Sequence, residues 1–365
     1  MRIALDAMGT DQAPRSEIEG AAAALEDLGP DVEILLVGDS EVIRDTVVEV
    51  APDAGDALQV VHAPDRIGPQ EAPASAVRRK TDSSIVKGVR LQKEGRADAF
   101  VSAGTTGAVM AASLILLRPL PGVARPAIGT ILPTSGPPVL MLDAGANVDS
   151  KPQHLLQFAR LGNVYAQDLM GVERPRVALL NIGEEPEKGD ELALASHHLL
   201  AESDLNFVGN VEGRDIIGGG CDVLVCDGFV GNVLLKFYES VAEFIIGLLN
   251  RELRSTDASL DFGEAFRVLD YSEYGGAPLL GVNGVSIICH GESQPKAIRN
   301  ALGVAHQAVE SRMVEHIASD LASGVPTGGE PTAGQEGGTA GEGVKGGARG
   351  AETGRDEDDE SGGGT

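Results

Sequence analysis

Residues Asn181 to Leu192 read NIGEEPEKGDEL, and they follow the apolar run Val177-Ala178-Leu179-Leu180. The pattern predicts a buried strand that ends in a glycine turn, with a helix start behind it. Lys188 stands in that turn beside Glu184, Glu185 and Glu187, between Gly183 and Gly189. Open α/β sheets place their ligands at the carboxyl ends of strands. A lysine held among carboxylates at such a place suits an oxyanion such as phosphate. The same residues also suit a solvated turn with a surface ion pair, which is worth little.

The same kind of junction recurs along the chain. Arg2-Ile3-Ala4-Leu5 leads into Asp6-Ala7-Met8-Gly9, and Ala99-Phe100-Val101 leads through Ser102-Ala103 into Gly104-Thr105-Thr106-Gly107. Val139-Leu140-Met141-Leu142 leads into Asp143-Ala144-Gly145-Ala146-Asn147. Val223-Leu224-Val225-Cys226 leads into Asp227-Gly228-Phe229-Val230-Gly231-Asn232. Each reads as a strand, a turn of small residues and a helix start, where unpaired backbone N–H groups and the helix dipole favour anions. Five such junctions in one chain predict a cleft lined by strand ends.

Asn232 is the second residue suited to chemistry. Behind Gly231 at an expected helix start, its side chain can donate to a developing oxyanion, or it can serve as a plain N-cap. A covalent nucleophile is not evident. There is no G-x-S-x-G elbow, and Cys221, Cys226 and Cys289 fall in or beside apolar strand patterns, where thiols are inert. The chemistry this leaves is direct transfer between two bound substrates.

Helix patterns cover Arg15–Leu28, Ser40–Val50, Ser83–Gly95, Ala108–Leu117, Pro152–Gly171, Gly189–Ala201, Asn232–Arg254 and Pro295–Ala318. Strand patterns fall between them, including Val32–Val37, Ala127–Leu132 and Val285–Cys289. This alternation predicts an α/β protein with three layers, a mostly parallel sheet between helices. The chain has neither the G-x-G-x-x-G spacing nor the G-x-x-x-x-G-K-[ST] pattern of nucleotide-binding loops.

With 365 residues, 42% of them hydrophobic, the chain can bury one large core or two smaller ones. No apolar run reaches the roughly 18 residues of a membrane span, and the N-terminus opens on a strand pattern rather than a signal peptide. Three cysteines without a framework spacing suggest reduced thiols and a cytoplasmic protein, and they form no zinc pattern. The net charge of −26 argues against nucleic acid as a partner. From Glu330 onward nine acidic residues stand against three basic ones in a glycine-rich stretch. The division expected is a folded domain over 1–320 and a disordered tail over 321–365.

Two patches stand out on the expected helices. Arg78, Arg79 and Lys80, with Lys87 and Arg90, form a basic cluster in an acidic chain. It is either ordinary helix-surface charge or a dock for an acidic partner. Phe237, Val241, Phe244, Ile245, Leu248 and Leu249 share one face of the helix that follows Asn232. Such a stripe is core, a dimer interface or, less commonly, a membrane contact.

Six motifs in order resemble one family. They are LDAMGTDQAP (Leu5–Pro14), SAGTTGA (Ser102–Ala108), LDAGANVDSKPQHLLQFA (Leu142–Ala159), NIGEEPEKG (Asn181–Gly189), DGFVGN (Asp227–Asn232) and YGGAPLLGVNG (Tyr274–Gly284). Together they resemble PlsX, the bacterial phosphate acyltransferases of phospholipid synthesis, from about Met1 to about Ala318. Thr10 stands where that pattern leads one to expect a second glycine, and Ser150 where it leads one to expect a cysteine.

The resemblance implies transfer of a long-chain acyl group from acyl carrier protein to inorganic phosphate. The acyl phosphate would pass to a membrane glycerol-3-phosphate acyltransferase of the PlsY type. It further implies a homodimer at the membrane periphery, with no metal or other cofactor. The implied fold is similar to that of isocitrate and isopropylmalate dehydrogenases and phosphotransacetylases. On this basis Lys188 would orient phosphate and Asn232 would stabilise the tetrahedral oxyanion. Asp6, Gly104, Thr105, Thr106, Gly107, Asn147, Asn181, Gly183, Glu185, Asp227, Gly228 and Gly231 would shape the pocket. Arg78, Arg79, Lys80, Lys87 and Arg90 would dock the carrier protein. Two rival readings are a nicotinamide-dependent dehydrogenase on the same fold and a non-enzymatic lipid-surface protein.

Overall fold

A computed structural model describes residues 1–255 and 274–323. In chain order the strands are β1 (Arg2–Asp6), β2 (Glu33–Gly38), β3 (Leu58–His62), β4 (Ala99–Ser102), β5 (Ala127–Leu132), β6 (Val139–Leu142), β7 (Val177–Asn181), β8 (Phe207–Glu212), β9 (Val223–Val225), β10 (Ala277–Leu280) and β11 (Val285–Ile288). The helices are α1 (Arg15–Leu28), α2 (Ser40–Val50), α3 (Pro73–Arg79), α4 (Ser84–Lys93), α5 (Thr106–Leu116), α6 (Pro152–Asp168), α7 (Glu191–Ala201), α8 (Gly228–Ser255), α9 (Pro295–Glu310) and α10 (Met313–Ser323).

One sheet of 11 strands runs in the order β3-β2-β1-β4-β11-β10-β5-β6-β9-β7-β8. Its inner strands, such as β1, β4, β6 and β9, are apolar and buried on both faces because both faces are covered, as expected of parallel sheets. Along β1, Ile3 and Leu5 join the core under α1, α6 and α9, while Ala4 between them joins the core under α3, α4 and α5. These are the three layers the alternation of elements predicts.

The direction of the strands carries the functional consequence. β3, β2, β1, β4 and β11 are mutually parallel, and so are β6, β9, β7 and β8. Three antiparallel pairings, β11 with β10, β10 with β5 and β5 with β6, reverse one set against the other. Two opposed sets would ordinarily send their carboxyl ends to opposite edges. Here the register staggers them. Ser102 at the end of β4 pairs with Ile288, and Ile288 with Ala277. Two residues along β10, Leu279 faces Ile128, and the next residue of β5, Gly129, faces Leu142 at the end of β6. The two groups of strand ends therefore meet around the middle of the sheet.

The structure corrects several element boundaries. The helix expected from Asn232 begins at Gly228, because the Asp227 carboxylate accepts the Val230 N–H at 2.9 Å and caps it there. The single helix expected over Pro295–Ala318 is two, α9 and α10, separated where Arg312 takes a left-handed φ of 55°. Helix α3 and strands β3, β8 and β10 were not among the expected elements. Helix α10 runs past the expected boundary at 320 to Ser323, with Leu321 in the core. The remainder of the acidic tail, and the side chain of Leu249, lie outside the described residues.

Candidate active site

At the ends of β1 and β4, Asp6 is buried and its carboxylate accepts the Ser102 hydroxyl at 2.7 Å and the Met8 N–H at 3.1 Å. Burial holds its pKa above the ordinary carboxylate value. Ser102 Oγ in turn accepts the Gly104 N–H at 3.0 Å. The β1 turn packs directly on the β4 turn: a Cβ at Gly9 would stand 2.7 Å from the Gly104 nitrogen. Thr105 is the N-cap of α5, and its carbonyl accepts the Ala108 and Val109 N–H groups. Thr106 is the exposed first residue of that helix, and Gly107 lies under Pro73 of α3.

At the end of β6 the organising group is Asp143. Its buried carboxylate accepts the N–H groups of Ile128, Gly145, Ala146 and Asn147 and the Asn147 side chain, at 2.7 to 3.2 Å. Asn147 also donates to the Pro126 carbonyl at 2.9 Å, so its amide nitrogen is spent in bracing this turn. Helix α8 starts hard against the same turn. A Cβ at Gly228 would come within 2.3 Å of the Asn147 carbonyl oxygen, and one at Gly231 within 1.9 Å of the Asp143 carbonyl oxygen. Only glycines admit the helix at this distance. Asn232 follows on the second turn of α8, with its side chain so close over Gly145 that a Cβ there would stand 3.2 Å from it.

The Lys188 turn follows β7, which neighbours β9. Asn181 organises it: its side-chain oxygen accepts the Ile182 N–H at 2.8 Å, and its nitrogen donates to the Lys188 carbonyl at 3.0 Å. The Lys188 N–H bonds the Glu185 carbonyl, which also accepts the Asn210 side chain. The stem of Lys188 and the carboxylate of Glu185 both lie over Gly183. Three asparagines are thus consumed in holding backbone. The Lys188 ammonium is exposed and the Asn232 carboxamide is exposed, and neither has a hydrogen bond or ion pair among the described residues. These two are free to meet a ligand.

A cavity of about 650 Å³ lies over one face of β5, between α8 and the turn after β11. Ile128, Leu132, Leu235, Ala242, Ile246 and Ile288 give it an apolar lining. Thr106 from the β4 turn, and Gly145 and Asn232 from the opposed set of strand ends, line it as well. Tyr238 crosses from α8 to the residue after β5, donating to the Pro133 carbonyl at 2.8 Å. The volume falls within the usual range for small-ligand sites. Of the residues expected at the site, Thr106 and Asn232 line this cavity. Asp6, Gly104, Asn147, Asp227, Gly228 and Gly231 build the strand-end turns, and Lys188, Asn181, Gly183 and Glu185 form the β7 turn, no residue of which lines the cavity. The cavity wall on α8 escaped the sequence reading. Leu235, Tyr238, Ala242 and Ile246 recur at helical spacing, but the more apolar stripe through Phe237 and Phe244 masked them.

That outer stripe is exposed, with Phe237 67% and Phe244 65% accessible. Three of the five members of the basic cluster are paired with neighbouring carboxylates. Arg79 and Lys80 both hold Glu71, at 2.8 and 2.6 Å, and Lys87 holds Asp82 at 3.1 Å. Lys80 foremost pulls the Glu71 carboxyl down to about 2. Arg78 and Arg90 have no ion pair among the described residues. All three cysteines are buried, and burial pushes the Cys221 and Cys289 thiols up to about 12 and Cys226 further up. Thiols so placed are not nucleophiles at neutral pH.

A family described as "Fatty acid synthesis protein" matches residues 1–316. A phosphate acyltransferase of Desulforamulus reducens is 52% identical over 328 residues, spanning 88% of this chain and 97% of that protein. One of Heliobacterium modesticaldum is 53% identical over 329 residues, spanning 87% and 98%. Among solved structures, a phosphotransacetylase from Streptococcus pyogenes superimposes with a TM-score of 0.59 at 18% identity, covering 85% of this chain and 94% of that one. The EutD phosphotransacetylase from Staphylococcus aureus gives 0.56 at 16% identity, covering 85% and 94%. At these identities the likeness is one of fold. The match over most of its length and the half-identical relatives show that this chain belongs to the PlsX family of phosphate acyltransferases and is an acyltransferase of lipid synthesis.

Proposed function

We propose that the protein transfers a long-chain acyl group from acyl carrier protein to inorganic phosphate, reversibly and without an acyl-enzyme. The observation that carries this reading is the apolar cavity with Thr106 and Asn232 in its lining. An acyl chain fits the apolar part, and an anion fits the helix starts.

A phosphate oxygen attacks the thioester carbonyl carbon. The C–O bond forms, the carbonyl electrons move to oxygen, and their return breaks the C–S bond. The leaving thiolate has an ordinary pKa of about 8.5, so it departs with little acid assistance and takes a proton from solvent. The work left to the protein is positioning and charge stabilisation. Lys188 binds and orients phosphate. The Asn232 side chain donates to the tetrahedral oxyanion. The buried Asp143 holds the turn beneath Asn232, and the buried Asp6 holds the turns after β1 and β4, rather than reacting.

The unpaired Arg78 and Arg90, more than the paired members of their cluster, dock the acidic carrier protein. The exposed face of α8 supports a homodimer, and peripheral membrane association would draw on exposed apolar residues of the same kind. Among the described residues no helix is long and apolar enough to cross a membrane. The acyl phosphate would then serve a membrane glycerol-3-phosphate acyltransferase. Release of the carrier thiol from a long-chain acyl carrier protein tests the reaction. It should require phosphate, and phosphate-independent release with acyl label retained on the protein would replace direct attack by an acyl-enzyme.

A further inference from the structure

We propose that Glu17 is a positioning residue: its carboxylate holds the Met8–Thr10 turn against the Gly104 turn and so sets one wall of the substrate site. The inference rests on the reading that these two turns belong to that site. Glu17 is fully buried on α1. One carboxylate oxygen accepts the Thr10 N–H at 2.7 Å and the other accepts the Thr10 hydroxyl at 3.0 Å. From the opposite side the Arg66 guanidinium donates to the Gly9 and Thr10 carbonyls at 3.2 and 3.1 Å. The turn is gripped between an anion and a cation. A third tie, from the Asp11 N–H to the Gly291 carbonyl at 2.8 Å, joins it to the turn after β11 that lines the cavity.

The surroundings of Glu17 make the grip sensitive to pH. Burial raises its pKa to about 7, with a further push from Asp6 on β1. The Cys289 thiol beyond β11 faces it, uncharged at neutral pH. Helix α9 brings Pro295 and Ile298 against Gly20 of α1, neither of them charged. On α2, Glu49 is engaged by Arg15 at the exposed side, and Asp11, His290 and Glu292 in the adjoining turns are exposed. The two Thr10 bonds favour the carboxylate, and charge-assisted bonds are about twice as strong as neutral ones. Protonation therefore slackens the turn.

The test is the pH profile of acyl phosphate formation for the full chain, Glu17→Gln and Thr10→Ala. The wild type should show an acid limb near pH 7 in addition to the ionisation of phosphate itself. Glu17→Gln should lack the enzyme limb and keep that of phosphate. Thr10→Ala, which removes the hydroxyl and keeps the backbone N–H, should move the limb upward by roughly half to one pH unit, the worth of one net hydrogen bond. Profiles of both variants that superimpose on the wild type overturn the proposal, and Thr10→Ala decides alone if Glu17→Gln does not fold. Should the wild type form no acyl phosphate, the acyltransferase reading fails and amide exchange over residues 7–12 decides the clamp. Protection that falls below pH 7 in the wild type and is already low in Thr10→Ala supports it. Equal protection in both overturns it.

Discussion

The Cα of Gly231 faces the Asp143 carbonyl oxygen so closely that a Cβ there would stand 1.9 Å from it. Helix α8, which carries Asn232, is seated on the β6 turn by this contact. Gly231→Ala must push the helix off the turn, because the opposing atom is backbone. The cost should reach or exceed the about 3 kcal/mol at the upper end of ordinary overpacking. Thermal melting should show a marked fall in Tm, and an unchanged Tm would mean that α8 is not held here.

Lys188→Ala should abolish turnover and leave Tm nearly unchanged, since the ammonium has no partner to lose among the described residues. Asn232→Ala should lower kcat by roughly 100- to 1,000-fold, the scale of one oxyanion donor. Steady-state rates beside melting curves check both. Near wild-type rates would reduce Lys188 to a surface charge and Asn232 to a bystander.

Within the basic cluster the two arginines should differ. Arg79 already pairs with Glu71, whereas Arg78 has no ion pair among the described residues. Arg78→Ala should raise the KM for acyl carrier protein by roughly 5-fold, the scale of one exposed ion pair near 1 kcal/mol, and flatten its salt dependence. Arg79→Ala should do less. An unchanged KM for the Arg78 variant would remove the docking role.

Glu17 also leaves a signature in stability. Its carboxyl titrates near 4.5 in an unfolded chain and at about 7 in the fold. Between those values the folded chain holds more protons, so its contribution to stability is present below about pH 4.5 and is lost as pH rises to about 7. Glu17→Gln has no such term. The Tm of the wild type minus that of the variant should therefore fall from pH 5 to pH 7.5 and then level off. A difference that stays flat would place Glu17 outside this titration.

The legible and illegible parts of the chain divide by range. Helices α1 and α2 stand at the expected Arg15–Leu28 and Ser40–Val50, because their periodicity is local. Helix α8 starts before the expected Asn232 because Gly228 and Gly231, which look like turn residues, are helical glycines required by Asp143 three strands of sequence away. The break at Arg312 has no glycine or proline to announce it. The reversal of strand direction across β10 and β5 depends on pairing between distant segments, so the meeting of the two sets of strand ends could be expected only as a cleft. The separation of roles among the asparagines came from the structure alone. Asn147 and Asn181 hold backbone and Asn232 does not, although all three sit at similar junctions.

The central claim is acyl transfer to phosphate, and the most direct measurement mixes the protein with palmitoyl-acyl carrier protein and labelled inorganic phosphate. The account predicts label in the lipid fraction that hydroxylamine removes and that does not form without the protein. A folded protein that yields no such label would contradict it.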